Sequence, residues 1–315
     1  MFYRSQSEHF RQLFGTRVQK LSIDAGFSCP NRDGRCGTGG CTFCCGEAFS
    51  PSYCRRVATI GEQIEEGIAF HRRRYRKAPA YLAYFQSYSC TYAPIDVLRQ
   101  RYHEALSHPA VVGMVVGTRP DCIDSPVLDL LSSLAQEHYV AVELGIESCH
   151  DDTLRAINRG HDFHCTCQAV QAVADRHLPV AGHLILGLPG EGRDEILASL
   201  PLLNALPLTS VKFHQLQILH GTAMEQQYAQ SEAFRRSVPT FSLDEYVALV
   251  CDILERLRPD LIVERLAGEV PPRYQAFPDR SFRRPDGRLL RNEELPTLVN
   301  NELQRRGTQQ GKLFK

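Results

Sequence analysis

Long apolar runs, a surplus of charge of either sign, low-complexity linkers and internal repeats are all missing from this sequence. No stretch reaches the roughly 18 apolar residues that a bilayer-spanning helix needs, which argues against a helical membrane protein. The first fifteen residues, MFYRSQSEHFRQLFG, hold no uninterrupted apolar core of the kind a secretory signal carries, so the expectation is a cytoplasmic protein with no membrane partner. The 36 Lys and Arg are balanced by 36 Asp and Glu. A net charge of zero argues against coating nucleic acid by overall charge and leaves only a local basic patch for that purpose. Hydrophobic residues make up 43% and charged residues 23%, proportions that exclude wholesale disorder. A chain of 315 residues suits one large α/β domain or two ordinary ones.

Cysteine is abundant instead. There are 12, and six of them (Cys29, Cys36, Cys41, Cys44, Cys45 and Cys54) fall between positions 29 and 54. A chain this long can bury its own core and needs no disulfides, and thiols in a reducing compartment serve more often as metal ligands, catalytic groups or core fillers. The clustering points to a metal or cluster site, whereas Cys90, Cys122, Cys149 and Cys251 read as small buried hydrophobes.

Strand and helix patterns alternate along the chain. Residues 18–27 read as a strand running into the cysteine loop, 60–76 as a helix, 82–89 as a strand, and 94–106 as a helix opened by Pro94. VVGMVVGT (111–118) is the apolar, β-branched run of a strand buried on both faces. SPVLDLLSSLAQ (125–136) predicts a helix capped by Ser125 with Pro126 just inside. Strands at 139–146, 180–190 and 210–219 alternate with helices at 151–160 and 193–206. A helix at about 242–257 then precedes LIVERLAGEV, a candidate further strand. Six β/α units imply a parallel sheet with helices outside, short of a full eightfold barrel: a partial (β/α)6 TIM-like barrel. The division expected is an N-terminal extension (1–15), a core (16–255) and a C-terminal extension (256–315).

The segment CPNRDGRCGTGGCTFCC (29–45) sits at the C-terminal end of the first strand, the end where parallel α/β folds place their chemistry. Thiolates at C-x11-C-x2-C can converge on one centre. On spacing alone two readings are equal: a zinc site with Cys36 or Cys45 as fourth ligand, and an iron–sulfur cluster held by three cysteines with one iron open.

Six further ordered motifs accompany this loop: YFQSYSCTYAP, GTRPDCI, ELGIESCHDDTLRAINRGHD, HLILGLPGE, VKFHQLQILHGTAM and ERLAGEVPP. Together with FGTRVQKLSIDAGFSCPNRDG and GGCTFC they resemble the YhcC-like family of radical SAM proteins. That family is related to the catalytic subunit of Elongator and to oxygen-independent coproporphyrinogen dehydrogenase. The resemblance extends to about residue 275.

The resemblance implies a [4Fe–4S] cluster on Cys29, Cys41 and Cys44, with S-adenosylmethionine (SAM) on the open iron. It implies reductive cleavage of SAM to a 5′-deoxyadenosyl radical that takes hydrogen from a substrate the sequence does not name. A low-potential donor of flavodoxin or ferredoxin type would supply the electron. SAM contacts map onto Gln86 and Ser87 after the second strand, Thr118 and Arg119 after the third, Glu147 after the fourth, Arg159 in NRGHD, and His183 in the fifth. Glu147 corresponds to a ribose contact and Arg159 to a clamp on the SAM carboxylate, which a guanidinium grips with two parallel bonds. Phe43 takes the position of an aromatic near the adenine. The complete cysteine frame leaves Cys36 and Cys45 as incidental thiols.

Three other features compete for attention. His161, His164, Cys165 and Cys167 form a second Cys/His group at a helix start, where such residues commonly cap or line a surface. The basic run 71–77, HRRRYRK, complements a helix dipole, and the tRNA-modifying relatives keep RNA among the partners to test. Lys212, His214, Gln215 and His220 lie on or after the sixth strand, facing the mouth of the barrel without an assigned role. The alternative to a radical enzyme is a non-catalytic iron–sulfur or zinc protein acting as a redox sensor or binding module.

Overall fold

The computed structural model describes all residues except 56–58, 75–78, 269, 278–279, 285 and 292. The basic run 71–77 therefore falls partly outside the described residues. Elements follow in the order α1 (Gln6–Phe14), β1 (Val18–Ile23), α2 (Gly46–Phe49), α3 (Ile60–Arg74), β2 (Ala80–Phe85), α4 (Ile95–Leu106), β3 (Val111–Thr118), α5 (Ser125–Leu134), β4 (Tyr139–Glu147), α6 (Asp151–Ala156), α7 (Phe163–Asp175), β5 (Val180–Leu186), α8 (Arg193–Ala198), α9 (Leu200–Ala205), β6 (Ser210–Gln215), α10 (Ala223–Gln230), α11 (Glu232–Ser237), α12 (Leu243–Arg256), β7 (Ile262–Arg265) and α13 (Leu295–Arg306).

Every strand pairs in parallel with the next, giving one sheet in the order β1 to β7. The strands are apolar because helices cover the outer face; Met114, Val116, Val142, Leu144 and Val211 are essentially inaccessible. The sheet curls until its edges meet through side chains. Lys20 on β1 reaches Glu264 on β7 at 2.6 Å, and Ser5 bridges to Val263. The result is a curled half-barrel, the partial TIM-like architecture, with the LIVERLAGEV segment adding a seventh short strand. Helix α1 closes the lower end: Phe10 and Phe14 pack with Leu82, Val115, Ala141 and Tyr139 inside the barrel.

Two local expectations change. Helix α5 is capped by Asp124, whose carboxylate accepts from the Val127 amide at 3.0 Å, so Ser125 is the first helical residue instead of the cap. A carboxylate at that position also suits the helix dipole. The helix expected over 193–206 is two short ones, broken at Ser199 before Pro201, whose missing N–H and ring disfavour continuation.

Candidate cluster and cofactor site

The cysteine loop folds on its own backbone. The Cys29 carbonyl accepts from the amides of Arg32 (2.8 Å) and Asp33 (3.2 Å), the Pro30 carbonyl from Cys36 (2.8 Å), and the Asn31 carbonyl from Gly40 (2.8 Å). A further turn links the Cys44 amide to the Cys41 carbonyl at 3.0 Å. The loop closes around Asn31, a buried residue that the sequence reading does not single out. Its Nδ2 donates to the Asn158 carbonyl at 2.6 Å and lies 3.7 Å from Cys41 Sγ. Asn158, itself in the left-handed region (φ 53°), donates back to the Gly40 carbonyl at 2.8 Å. Gly37 must be glycine: a Cβ there would lie 2.2 Å from Asn31 Oδ1. The turn after α6 thus pins the loop to the rim of the sheet.

Cys29, Cys41 and Cys44 are free thiols, the first two buried. Burial, followed by the neighbouring Cys41, pushes the Cys44 thiol up to about 12, with Cys29 adding to the shift and Arg32 and Arg159 opposing it. Arg159 Nη1 donates to Cys41 Sγ at 3.5 Å. Soft thiols in a glycine-rich cradle, with guanidinium groups beside them to offset thiolate charge, fit an iron–sulfur group. Among the described residues no three Cys, His, Asp or Glu side chains are gathered as ligands of a single metal ion, Cys29, Cys41 and Cys44 included. Cys36 is exposed, and Cys45 packs beside Ala48, Leu219 and Val270. In the second Cys/His group His164 is exposed and Cys167 packs on the main core.

Above the thiols stands a polar rim. A bulge in β4 interrupts its pairing between Gly145 and Glu147, and Glu147 adopts φ 65°. That conformation is uncommon for a side chain with a Cβ and is stored where the surrounding structure enforces it. Glu147 Oε1 lies 3.8 Å from Arg159 Nη2, and its Oε2 3.2 Å from His183 Nδ1. Burial would raise the Glu147 pKa, but His183 and then Arg159 hold it below the ordinary carboxylate value. Arg159 also donates to the Gly145 carbonyl. A Cβ on Gly145 would come within 2.6 Å of Glu147 Oε1 and 2.8 Å of Arg159 Nη2, so only glycine leaves room for the pair. Arg119 grips Asp121 with two bonds of 2.8 Å and donates to the Arg159 carbonyl at 2.7 Å.

Several of these groups are under-used. Arg119 Nη1, Arg159 Nε and His183 Nε2 are buried and make no hydrogen bond within the described chain, and Glu147 Oε2 has only its 3.2 Å contact with the His183 ring. Each such group costs about 1–3 kcal/mol if left dry, so the constellation fits a polar ligand with its own donors and acceptors. The remaining expected contacts are tied elsewhere. Gln86 donates to Ser22 Oγ at 2.8 Å, and Ser87 meets Ser50 at 3.1 Å. Thr118 meets Thr91 at 2.7 Å, in the interior. Phe43 leans on an apolar cluster that includes Leu154, Ile157 and Ile185.

The half-barrel, its thiol loop and its unsatisfied polar rim define a class: an α/β barrel protein organised around a thiolate-held cofactor. The chain belongs to the radical SAM superfamily, whose family model matches residues 33–203, with a Radical_SAM C-terminal domain over 208–287. It is similar to the uncharacterized protein YtqA of Bacillus subtilis, 36% identical over 313 residues, covering 99% of this chain and 93% of that protein. It is likewise similar to protein YhcC of Escherichia coli, 40% identical over 255 residues, 81% of this chain and 79% of that one. Among solved structures, Elp3 of the archaeon Methanocaldococcus infernus, lacking its first residues, superposes with a TM-score of 0.64 at 16% identity; the match covers 93% of this chain and 64% of that one. That likeness shows the fold. The superfamily's cofactors are a [4Fe–4S] cluster and SAM, and membership implies an enzyme.

Proposed function

We propose that this protein binds a [4Fe–4S] cluster through Cys29, Cys41 and Cys44 and binds SAM against the rim, as a radical enzyme acting on a substrate held inside the barrel. Held there, the cluster and SAM would supply one-electron chemistry: an electron from the reduced cluster would split SAM into methionine and a 5′-deoxyadenosyl radical able to take a hydrogen atom from the substrate. The observation that carries the reading is the set of buried, unspent polar atoms of Arg119, Arg159 and His183, with Arg159 on Cys41 Sγ.

Each residue then has a task. Glu147, ionised at neutral pH, accepts from a ribose hydroxyl. Arg159 offers its guanidinium to the SAM carboxylate while remaining on Cys41 Sγ, which couples cofactor position to the loop. Arg119, fixed by Asp121, buttresses the backbone of Arg159. Gln86 and Ser87 are rim positions that reach SAM by exchanging their present partners, and Thr118 shapes the turn beneath. Phe43 supplies an apolar surface for the adenine. A flavodoxin- or ferredoxin-type donor would supply the electron.

The test is anaerobic purification, reconstitution with iron and sulfide, reduction and addition of SAM, with Cys44→Ala alongside. The expected result is 5′-deoxyadenosine from the wild type and none from the variant. A fully loaded, reduced cluster that forms no product and whose EPR spectrum ignores SAM would overturn the reading in favour of a sensor.

A further inference from the structure

The inner wall formed by β5, β6 and β7 carries a second set of unspent groups. Along β6, Ser210, Lys212 and His214 alternate on the inner face; along β5, Ala181 and His183 stand beside them, in the registers Ala181↔Ser210 and His183↔Lys212. The rings of His183 and His214 meet edge to face with centroids 4.6 Å apart. Strand β7 joins this wall through an irregularity: Val211 pairs with Val263 but Lys212 pairs with Arg265, leaving Glu264 as an extra residue. Glu264 points inward, to Lys20. Strict alternation would then send Arg265 outward to the helices, and the extra residue turns it back inside.

Arg265 Nη1 consequently meets His214 Nε2 at 3.2 Å. A guanidinium only donates, so His214 Nε2 accepts, and the imidazole proton sits on Nδ1. Burial, then the charges of His183, Arg265 and Lys212, hold His214 well below its ordinary pKa, in keeping with a neutral ring. The rest of the Arg265 guanidinium has no hydrogen bond or ion pair among the described residues, and the side chain is exposed. The described carboxylates nearby are committed elsewhere. Glu143 is taken by Lys212 (2.7 Å) and Tyr84, and Glu264 by Lys20 (2.6 Å) and Gln6 (2.7 Å). Glu147 lies between Arg159 and His183. His183 Nε2 is buried without a partner. Among the described residues the wall therefore presents a cation with no carboxylate partner, steadied by one neutral histidine.

We propose that Arg265, positioned by His214, binds an oxyanion of the substrate, a carboxylate or a phosphate. The claim rests on the radical SAM reading for the word substrate; the anion site itself needs no cluster. A guanidinium fork matches the paired oxygens of either group.

The reconstituted protein is titrated calorimetrically at low ionic strength with inorganic phosphate and, separately, with malonate. One or both bind at one site per chain. Arg265→Gln weakens binding at least tenfold, Arg265→Lys keeps part of it, and His214→Gln weakens it about threefold by freeing the guanidinium. Arg305→Gln, on the exposed face of α13, changes nothing. Binding of malonate alone assigns a carboxylate substrate, and binding of phosphate alone a phosphorylated one. Absence of binding to both, or binding that survives Arg265→Gln, overturns the proposal. So does a variant that binds the anion normally but has lost the EPR response to SAM, since Arg265 would then serve the cofactor. A wild type that binds the anion through Arg265 but never cleaves SAM would leave the site standing and defeat the radical reading instead.

Discussion

Two layers of polar side chains occupy the same barrel interior, one directly above the other, and they are treated in opposite ways. In the lower layer Lys20, Tyr84, Glu143, Lys212 and Glu264 satisfy one another. Lys212 meets Glu143 at 2.7 Å and Tyr84 at 3.0 Å, Lys20 meets Glu264 at 2.6 Å and Glu143 at 3.4 Å, and Gln6 of α1 closes the set. In the upper layer Arg119, Arg159 and His183 each keep a buried atom without a partner, and Glu147 Oε2 has only its contact with His183. Desolvation is a cost for both. The lower layer offsets it within the chain and acts as structure, welding the two edges of the sheet. The upper layer leaves it for a ligand to offset. Charge inside the barrel is thus no sign of function by itself; the unmade bonds are.

The largest effects should come from breaking the lower layer. Glu143→Leu strands the buried Lys212 and should cost about 3–5 kcal/mol in urea unfolding. The double change with Lys212→Met should recover much of that, because no buried charge is then left alone. A single-variant cost under about 1 kcal/mol would erase the distinction between the layers. The same carboxylate sets an acid limit. Burial would raise the Glu143 pKa, but Lys212 and Lys20 hold it far below its ordinary 4.5. Its folded value is depressed, so the stability it contributes is present above about pH 4.5 and lost as pH falls below that. Glu143→Leu should lack this portion of the acid slope. In the upper layer Arg159→Gln should behave in reverse: unfolding free energy moves by no more than about 1.5 kcal/mol, while SAM affinity, read from the cluster's EPR response, falls about 100-fold, or about 2.7 kcal/mol.

Much of the scaffold is legible in the sequence because a strand buried on both faces has to be apolar, and VVGMVVGT reads as nothing else. The cysteine loop is legible because its spacing is local. The charged layer is not, since Lys20, Glu143, Lys212 and Glu264 are scattered across 244 residues and each looks like an isolated interruption of an apolar strand. Arg265 is hidden for a sharper reason: its direction depends on one extra residue in β7, which propensity does not encode. Asn31 and Asn158 read as ordinary loop residues, and only their mutual bonding shows that they hold the cysteine loop to the rim. What could have flagged them is the glycine pattern around them, since Gly37 is a position where any side chain would strike Asn31.

Smaller changes should sharpen the contrast within the upper layer. Gly145→Ala places a methyl group 2.6 Å from Glu147 Oε1 and 2.8 Å from Arg159 Nη2. Both are far ends of long side chains, so the fold survives with less than about 1 kcal/mol lost, but the pair is displaced. Product formation should drop about tenfold; an unchanged rate would show that the Glu147–Arg159 geometry does not matter.

The effect that is smallest at neutral pH tests whether the unsatisfied layer carries a pH cost in the ligand-free chain. His161 stands beside it, and burial together with Arg159 lowers its pKa from 6.5 to about 4. Between those values the unfolded chain binds a proton at His161 and the folded chain does not, so stability must fall on acidification through that window and is unaffected well above pH 6.5. His161→Gln removes the difference. The variant should match the wild type at pH 8 and exceed it by up to about 2 kcal/mol at pH 5. Equal stability at both values would mean that the folded protein lets His161 take up its proton, and that the rim is less closed to solvent than its unpartnered atoms imply.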